Sequence, residues 1–375
     1  MKSIQNNLLN REIKKIKKGE KTIMLKLNRS NTVFFLIIIA IFVLAVSPLY
    51  AEPKYQFNMI ADEPIWGETG LILQAFESGV NYLSDGDIAI KMYPAGEWGS
   101  GEEAGLQSLQ MGTLDLVVTM SANLGLYTNA LYTFDIPFMF KNTIDAMNFT
   151  FESTIEHTPL VREMLDKASE ESGIMILSMA PMGRRDIFAN KPIQSIKDLQ
   201  GMKIRTMASP IQVDAFNFMG AIATPLPYSE CFTALQLKTV DAAENSPAAY
   251  TLMKFNEAAP YYFGSDHYSS VVGIAMSKKS WDKLPVAYQN IIKQAAVGAM
   301  NVSSIWALGS ADYSLNGEVK DCAKSVVMID PAEKLELRKN VLPKLLDKYG
   351  EKIDPKILET LAETDEVIAE WLKSK

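Results

Sequence analysis

Between Tyr55 and Tyr93 the chain reads as strand, helix, strand: alternation over Tyr55–Ala61, an amphipathic stretch over Gly67–Leu83, and a second strand over Ile88–Tyr93. A helix between two strands carries the chain back to the end where the first began, so the strands pair in parallel with the helix across one face. A parallel sheet needs both faces covered, which makes this half an α/β layer structure and excludes all-β and all-α folds. The alternation continues with a helix over Ser100–Met111, a buried strand over Leu114–Met120, a helix over Leu160–Glu171 and a strand over Ile174–Met179. A second α/β set begins near Met182, with strands at Asp186–Ala189, Lys203–Thr206 and Ile222–Pro225 and helices at Pro210–Met219 and Tyr228–Leu237. Val271–Met276 has no polar side chain and is fit to return the chain to the first set.

The spacing places two lobes in the chain, one from 52–181 with 271–310 and one from 182–270 with 311–375. With 375 residues, 48% of them hydrophobic, there is material for two cores. Pro285 to about Val319 contains no proline after its first position, and length alone allows one long helix or two stacked ones. Gly298, Gly309 and Gly317 are places where it can bend.

Ahead of these elements, Val33–Val46 is an uninterrupted apolar run, preceded by Lys26 and Arg29 and followed by Ser47-Pro-Leu-Tyr-Ala51. A bilayer span needs about 20 apolar residues, so this run fits the core of a signal peptide. The reading is a signal peptide over 24–51, cleaved near Ala51, and an exported protein of the periplasm that begins at Glu52. Residues 1–23 then form a leader upstream of the true start at Met24, and N-terminal sequencing of the precursor tests that start. Removing the +7 carried by residues 1–51 from the formal −7 of the whole chain leaves about −14. Such a field disfavours nucleic acid and anionic membranes, and it leaves any anionic solute to be held by local, desolvated arginines.

Two arginines stand at the ends of short apolar runs, Arg185 in Met182-Gly-Arg-Arg-Asp-Ile-Phe-Ala-Asn190 and Arg205 in Ile196-Lys-Asp-Leu-Gln-Gly-Met-Lys-Ile-Arg205. A guanidinium presents a planar fork that matches a carboxylate two bonds at a time, and a strand end holds it rigidly. Neighbours along a strand point to opposite faces, so only one of Arg184 and Arg185 can face a cleft there. Two further segments follow, Pro227-Tyr-Ser-Glu-Cys-Phe-Thr-Ala-Leu-Gln236 and Val240-Asp-Ala-Ala-Glu-Asn-Ser-Pro247. In order and spacing the four segments resemble the solute-binding proteins of tripartite ATP-independent periplasmic (TRAP) transporters, the DctP-like family, and the likeness runs from about Tyr55 to Arg338.

The resemblance implies a two-lobed periplasmic solute-binding clamshell with a long helix bridging both lobes. It implies that Arg205 makes the two-bond contact to a ligand carboxylate and that Arg185, rather than Arg184, faces the same pocket. Asn245, with Glu244 before it, matches the family's Asp-Gly-x-Glu-Asn, written here with Ala242 in place of the glycine; a turn-forming role for Asn245 is the alternative. Tyr228 corresponds to an aromatic covering the ligand, Trp66 is a candidate opposing wall, and His267 matches a histidine at the rear of the site. Ile60, Met120 and Asn123 stand where sialic-acid binders carry polar or charged groups, which argues against sialic acid, while Asn123 can still read a hydroxyl.

The function expected is a non-enzymatic receptor for a small organic acid, a sugar acid ahead of a C4-dicarboxylate, that passes its solute to a TRAP membrane permease. It works as a monomer, without cofactor or metal. An enzyme using Glu63 or Glu244 and a sensory or ABC-type binding protein remain the alternatives, although Gly-x-Ser-x-Gly and His-Glu-x-x-His are missing and the chain has two histidines. Cys231 and Cys322 are able to pair in an oxidising compartment or to stay apart as small buried groups.

Overall fold

A computed structural model describes residues 52–99, 101–154 and 159–375. The segments expected to be a leader (1–23) and a signal peptide (24–51) lie outside the described residues. Residues Pro53–Lys375 form one compact unit. Its strands are β1 (Tyr55–Ile60), β2 (Ile88–Tyr93), β3 (Leu116–Met120), β4 (Ile174–Ala189), β5 (Lys203–Thr206), β6 (Ile222–Pro225), β7 (Ala242–Asn245), β8 (Tyr261–Ser277) and β9 (Ser325–Met328).

All nine belong to one mixed sheet of order β2-β1-β3-β8-β4-β7-β5-β6, with β9 beside β8. The opening strand-helix-strand unit is parallel, running from Tyr55↔Ile88 to Ile60↔Tyr93, and β3 joins β1 in parallel. A second parallel group, β7-β5-β6, mirrors it. Between the groups lie β4 and β8, antiparallel to each other and to the strands β3 and β7 that flank them.

Those central strands depart from the sequence reading. Ile174–Met179 and Asp186–Ala189 are the two ends of a single 16-residue strand, and Val271–Met276 is the last part of a 17-residue one. Pro181 and Gly183 look like breaks in the sequence, and the pairing does slip there and again between Arg185 and Ile187. The slips are bulges, which absorb a proline and a glycine without ending the strand. Gly183 has φ +122°, a conformation that other residues avoid, and a Cβ on it would stand 3.8 Å from Ala307.

One unbroken 31-residue helix covers Val286–Asn316, as the resemblance implied. At 1.5 Å per residue it is about 46 Å long, close to the roughly 50 Å of β4 at 3.3 Å per residue. Its first half packs against the first parallel group, where Ala295, Ala299 and Met300 join Phe57, Met59 and Phe76. Its middle meets β4, with Ser303 Oγ donating to the Pro181 carbonyl at 3.1 Å. Its last turns reach the core of the second group, where Leu315 joins Phe188, Tyr250 and Tyr262. The helix therefore bridges both halves.

Alternation along β3 shows the layers: Val117 packs with Leu106, Leu109 and Leu165 on one face, and Leu116 and Val118 with Phe76 and Ala295 on the other. No helix of the described residues is long and apolar enough to cross a membrane. Cys231 and Cys322 are both free thiols.

Candidate functional site

Ligands of parallel α/β sheets gather at the carboxyl ends of the strands, and both parallel groups point those ends at one place. A cavity of about 250 Å³ lies there, lined from the first group by Asp62, Glu63, Thr69, Gly101, Glu102, Ala104, Met120 and Asn123. From β4 and the second group come Met182, Arg185, Arg205, Met207, Pro227, Tyr228, Ser229, Glu230 and Asn245.

The two arginines are in different electrostatic states. Arg185, on β4, donates from Nε to Glu244 Oε2 at 2.5 Å and from Nη2 to Glu244 Oε1 at 2.9 Å and to the Glu244 carbonyl at 3.0 Å. Both partners are at most 3% exposed, so the pair is a buried, two-bond ion pair. Arg205, on β5 and also 3% exposed, donates from Nε to the Leu226 carbonyl at 2.9 Å and stands 5.9 Å from the Tyr228 ring centroid. Its two terminal nitrogens find no partner, and it has no acid, among the described residues. A buried guanidinium in that condition has the geometry to take an anion by two parallel hydrogen bonds.

Arg184 lies on the other face of β4, donating to Asp186 from Nε at 2.9 Å and Nη2 at 2.7 Å, with Asp266 3.9 Å away. Asp186 is held further by Tyr262 Oη at 2.8 Å, which keeps Arg184 in an ion pair outside the cavity lining.

Asn245 accepts from Ser246 N through Oδ1 at 2.8 Å, which leaves its Nδ2 hydrogens for the cavity. Tyr228 opens a short 3-10 turn before the helix Cys231–Gln236, so the helix starts three residues later than the sequence reading had it. The Tyr228 hydroxyl is buried without a hydrogen-bond partner among the described residues. Asn123 donates from Nδ2 to Glu102 Oε2 at 2.6 Å and to Thr119 Oγ1 at 3.3 Å.

His267 sits behind the site rather than in its lining, its Nδ1 2.8 Å from Ser265 Oγ and its Nε2 3.8 Å from Glu244 Oε2. Burial, and then Arg185, push its pKa down to about 3, so the ring is neutral and backs Glu244 without charge. Glu244 likewise acts from behind, through Arg185.

Trp66 does not reach the cavity. The Pro64–Gly67 turn, closed by Gly67 N to the Pro64 carbonyl at 2.7 Å, turns the indole outward to 66% exposure along a second groove beside Trp306 and Tyr313. The side of the cavity expected from Trp66 is lined instead by Asp62, Glu63 and Glu102, of which the sequence reading singles out only Glu63, and then for a catalytic role.

Glu63 and Glu68 flank the start of the helix Glu68–Leu83. Glu63 Oε2 accepts from Thr69 N at 2.8 Å and caps that helix, and burial raises its pKa. Gly70 lets the loop close, since a Cβ there would stand 2.0 Å from the Pro64 carbonyl. Glu68 accepts from Ser246 Oγ at 2.7 Å and Trp306 Nε1 at 3.3 Å, tying the first group to the second and to the long helix. Burial and the nearby Glu63 push its pKa up to about 8. Glu102 folds onto the end of β3, where its Oε2 accepts from Thr119 Oγ1 at 2.7 Å, Met120 N at 3.2 Å and Asn123. Burial, then Asp62, push it up to about 8 as well. Among the described residues no group of three or more His, Cys, Asp or Glu is arranged to hold a metal ion.

A family profile described as "Bacterial extracellular solute-binding protein, family 7" (DctP) matches residues 68–351. The chain is 28% identical over 217 residues to the 2,3-diketo-L-gulonate-binding periplasmic protein YiaO of Escherichia coli K12, which is 58% of this chain and 64% of that relative. It is 26% identical over 327 residues to the C4-dicarboxylate-binding periplasmic protein DctP of Rhodobacter capsulatus, covering 86% of this chain and 93% of the relative. A crystal structure of a TRAP periplasmic solute-binding protein from Xanthobacter autotrophicus Py2 with bound β-D-galacturonate superposes with a TM-score of 0.73 at 25% identity, over 84% of this chain and 99% of that one.

Proposed function

Because the chain belongs to the family 7 bacterial extracellular solute-binding proteins, we propose that it is a periplasmic receptor whose cavity captures a small organic acid by its carboxylate on Arg205 and delivers it to a membrane permease. The observation that carries this reading is the unequal state of the two cavity arginines. Arg185 is neutralised by Glu244, whereas Arg205, itself buried, keeps an open fork in the cavity lining. Asn245 Nδ2 lies in the same lining and supports the carboxylate end.

Groups from two sets of strands line the cavity, so a solute touching both favours the closed arrangement and one touching a single set does not. The partition into lobes at 52–181 with 271–310 and 182–270 with 311–375 belongs to this proposal, as do the monomeric state and the absence of any reaction. A sugar acid is favoured by Asn123, which can accept from a hydroxyl, and by the printed ligands of two of the relatives named above, although a third is a C4-dicarboxylate-binding protein.

The test is a thermal-shift screen of uronates, aldonates and C4 acids on the mature protein. An acid at 100 times its Kd should stabilise it by about 2.7 kcal/mol. The acid released from the complex by denaturation should be chemically unchanged; a converted product would establish an enzyme instead.

A further inference from the structure

The second end of the solute meets a surface unlike the first. This inference rests on the reading of the cavity as a carboxylate site and narrows it. Arg185 and Arg205 come from β4 and the second parallel group, whereas the first group contributes Asp62, Glu63, Glu102 and Asn123 and no lysine or arginine. Neither Glu63 nor Glu102 is ion-paired among the described residues. Arg185, the one other cation of the lining, already has its charge met by Glu244.

Hydrogen-bond direction sharpens this. Glu102 is 8% exposed, and its Oε2 takes all three of its donors, so among the described residues Oε1 is left without a partner. Asn123 spends its amide hydrogens on Glu102 and Thr119, which leaves Oδ1, an acceptor. Asn123 Oδ1 is an acceptor, and Glu102 Oε1 accepts when ionised and donates when protonated, so a hydroxyl on the solute, which both donates and accepts, is met in either state.

We propose that the solute carries a single carboxylate, bound at Arg205, and presents hydroxyl donors to Glu102, which is the residue that rejects dicarboxylic acids. Glu102 keeps its proton or loses it. With the proton it is a neutral hydrogen-bonding group, without it a negative charge, and in neither state does it supply the positive charge a second desolvated carboxylate needs. A hydroxyl is served by both states.

Calorimetry on three matched pairs tests the rule: gluconate and glucarate, galactonate and galactarate, 4-hydroxybutyrate and succinate. Members of a pair differ only in whether the far end is a hydroxymethyl group or a carboxylate. In any pair that binds, the monocarboxylate should be tighter by about 100-fold, the scale of leaving a second carboxylate desolvated without a cation. Glu102→Gln, which keeps the shape and adds an amide donor, should shrink that ratio by roughly tenfold or more, a change in selectivity that a merely structural role would not produce. If that variant fails to fold, the wild-type ratios decide alone. Equal or tighter binding of the dicarboxylate overturns the rule and leaves the receptor reading standing; no binding by any acid overturns both.

Discussion

Replacing Arg205 separates what the residue does for the ligand from what it does for the fold. Arg205→Met keeps the volume and removes the charge. In the empty protein the change loses one charged hydrogen bond, Nε to the Leu226 carbonyl, and the contact with Tyr228. It also removes a guanidinium that is 3% exposed and has no acid beside it among the described residues. The hydrogen bond contributes about 1.5–3 kcal/mol and relief of the desolvated charge offsets a similar amount, so stability should stay within about 1 kcal/mol of wild type. Affinity should behave otherwise. Truncating one partner of a buried, hydrogen-bonded charge pair costs about 2–5 kcal/mol, which is roughly 30- to 4,000-fold in Kd. Urea denaturation of the empty proteins and calorimetry with the acid found by screening measure the two quantities side by side. Wild-type affinity in the variant refutes the clamp, and a stability loss beyond about 3 kcal/mol shows that Arg205 is a structural ion instead.

Arg185→Met should have the opposite profile, because it strands Glu244 in the interior: a loss of about 3–5 kcal/mol in urea denaturation, largely recovered when Glu244→Gln is added. Trp66→Ala should leave ligand affinity within about twofold of wild type by calorimetry, since removing an exposed side chain from outside the site changes little. Gly70→Ala forces the loop bearing Glu63 away from the helix, and should weaken both Tm and ligand affinity. Glu68 is shifted up from the usual carboxyl value to about 8, so its contribution is present at low pH and is lost as pH rises from about 4.5 through about 8. Melting curves across that window should therefore slope less steeply in Glu68→Gln than in wild type; equal slopes would remove Glu68 from the titration.

Local periodicity made most of the fold legible. Ile88–Tyr93, Lys203–Thr206 and Ile222–Pro225 stand in the structure where the alternation put them, because each lies in a parallel group whose strands end at plain turns. The joining of β4 into one strand was hidden, since Pro181 and Gly183 are local stop signals and what overrides them is pairing with β8, some 90 residues on. The same holds at the site. Arg205 stands in the cavity lining, where the resemblance of its Lys-Ile-Arg segment put it, but Glu102 opens a helix, where acids are common for reasons of the helix dipole alone. Its fold-back onto Thr119 and Asn123 is tertiary and leaves no mark on spacing. Trp66 misled for the converse reason: an aromatic beside a proline fits a binding wall, yet a single turn decides which way it looks.

Two long strands and one long helix cross from one half of the molecule to the other without interruption. Any opening of such a molecule would have to flex two strands and a helix together rather than swivel on a slack joint, so strain would accumulate with angle and act as a spring. The resting gape is then a mechanical property of the backbone, and a solute is gripped only as firmly as its contacts exceed the recoil.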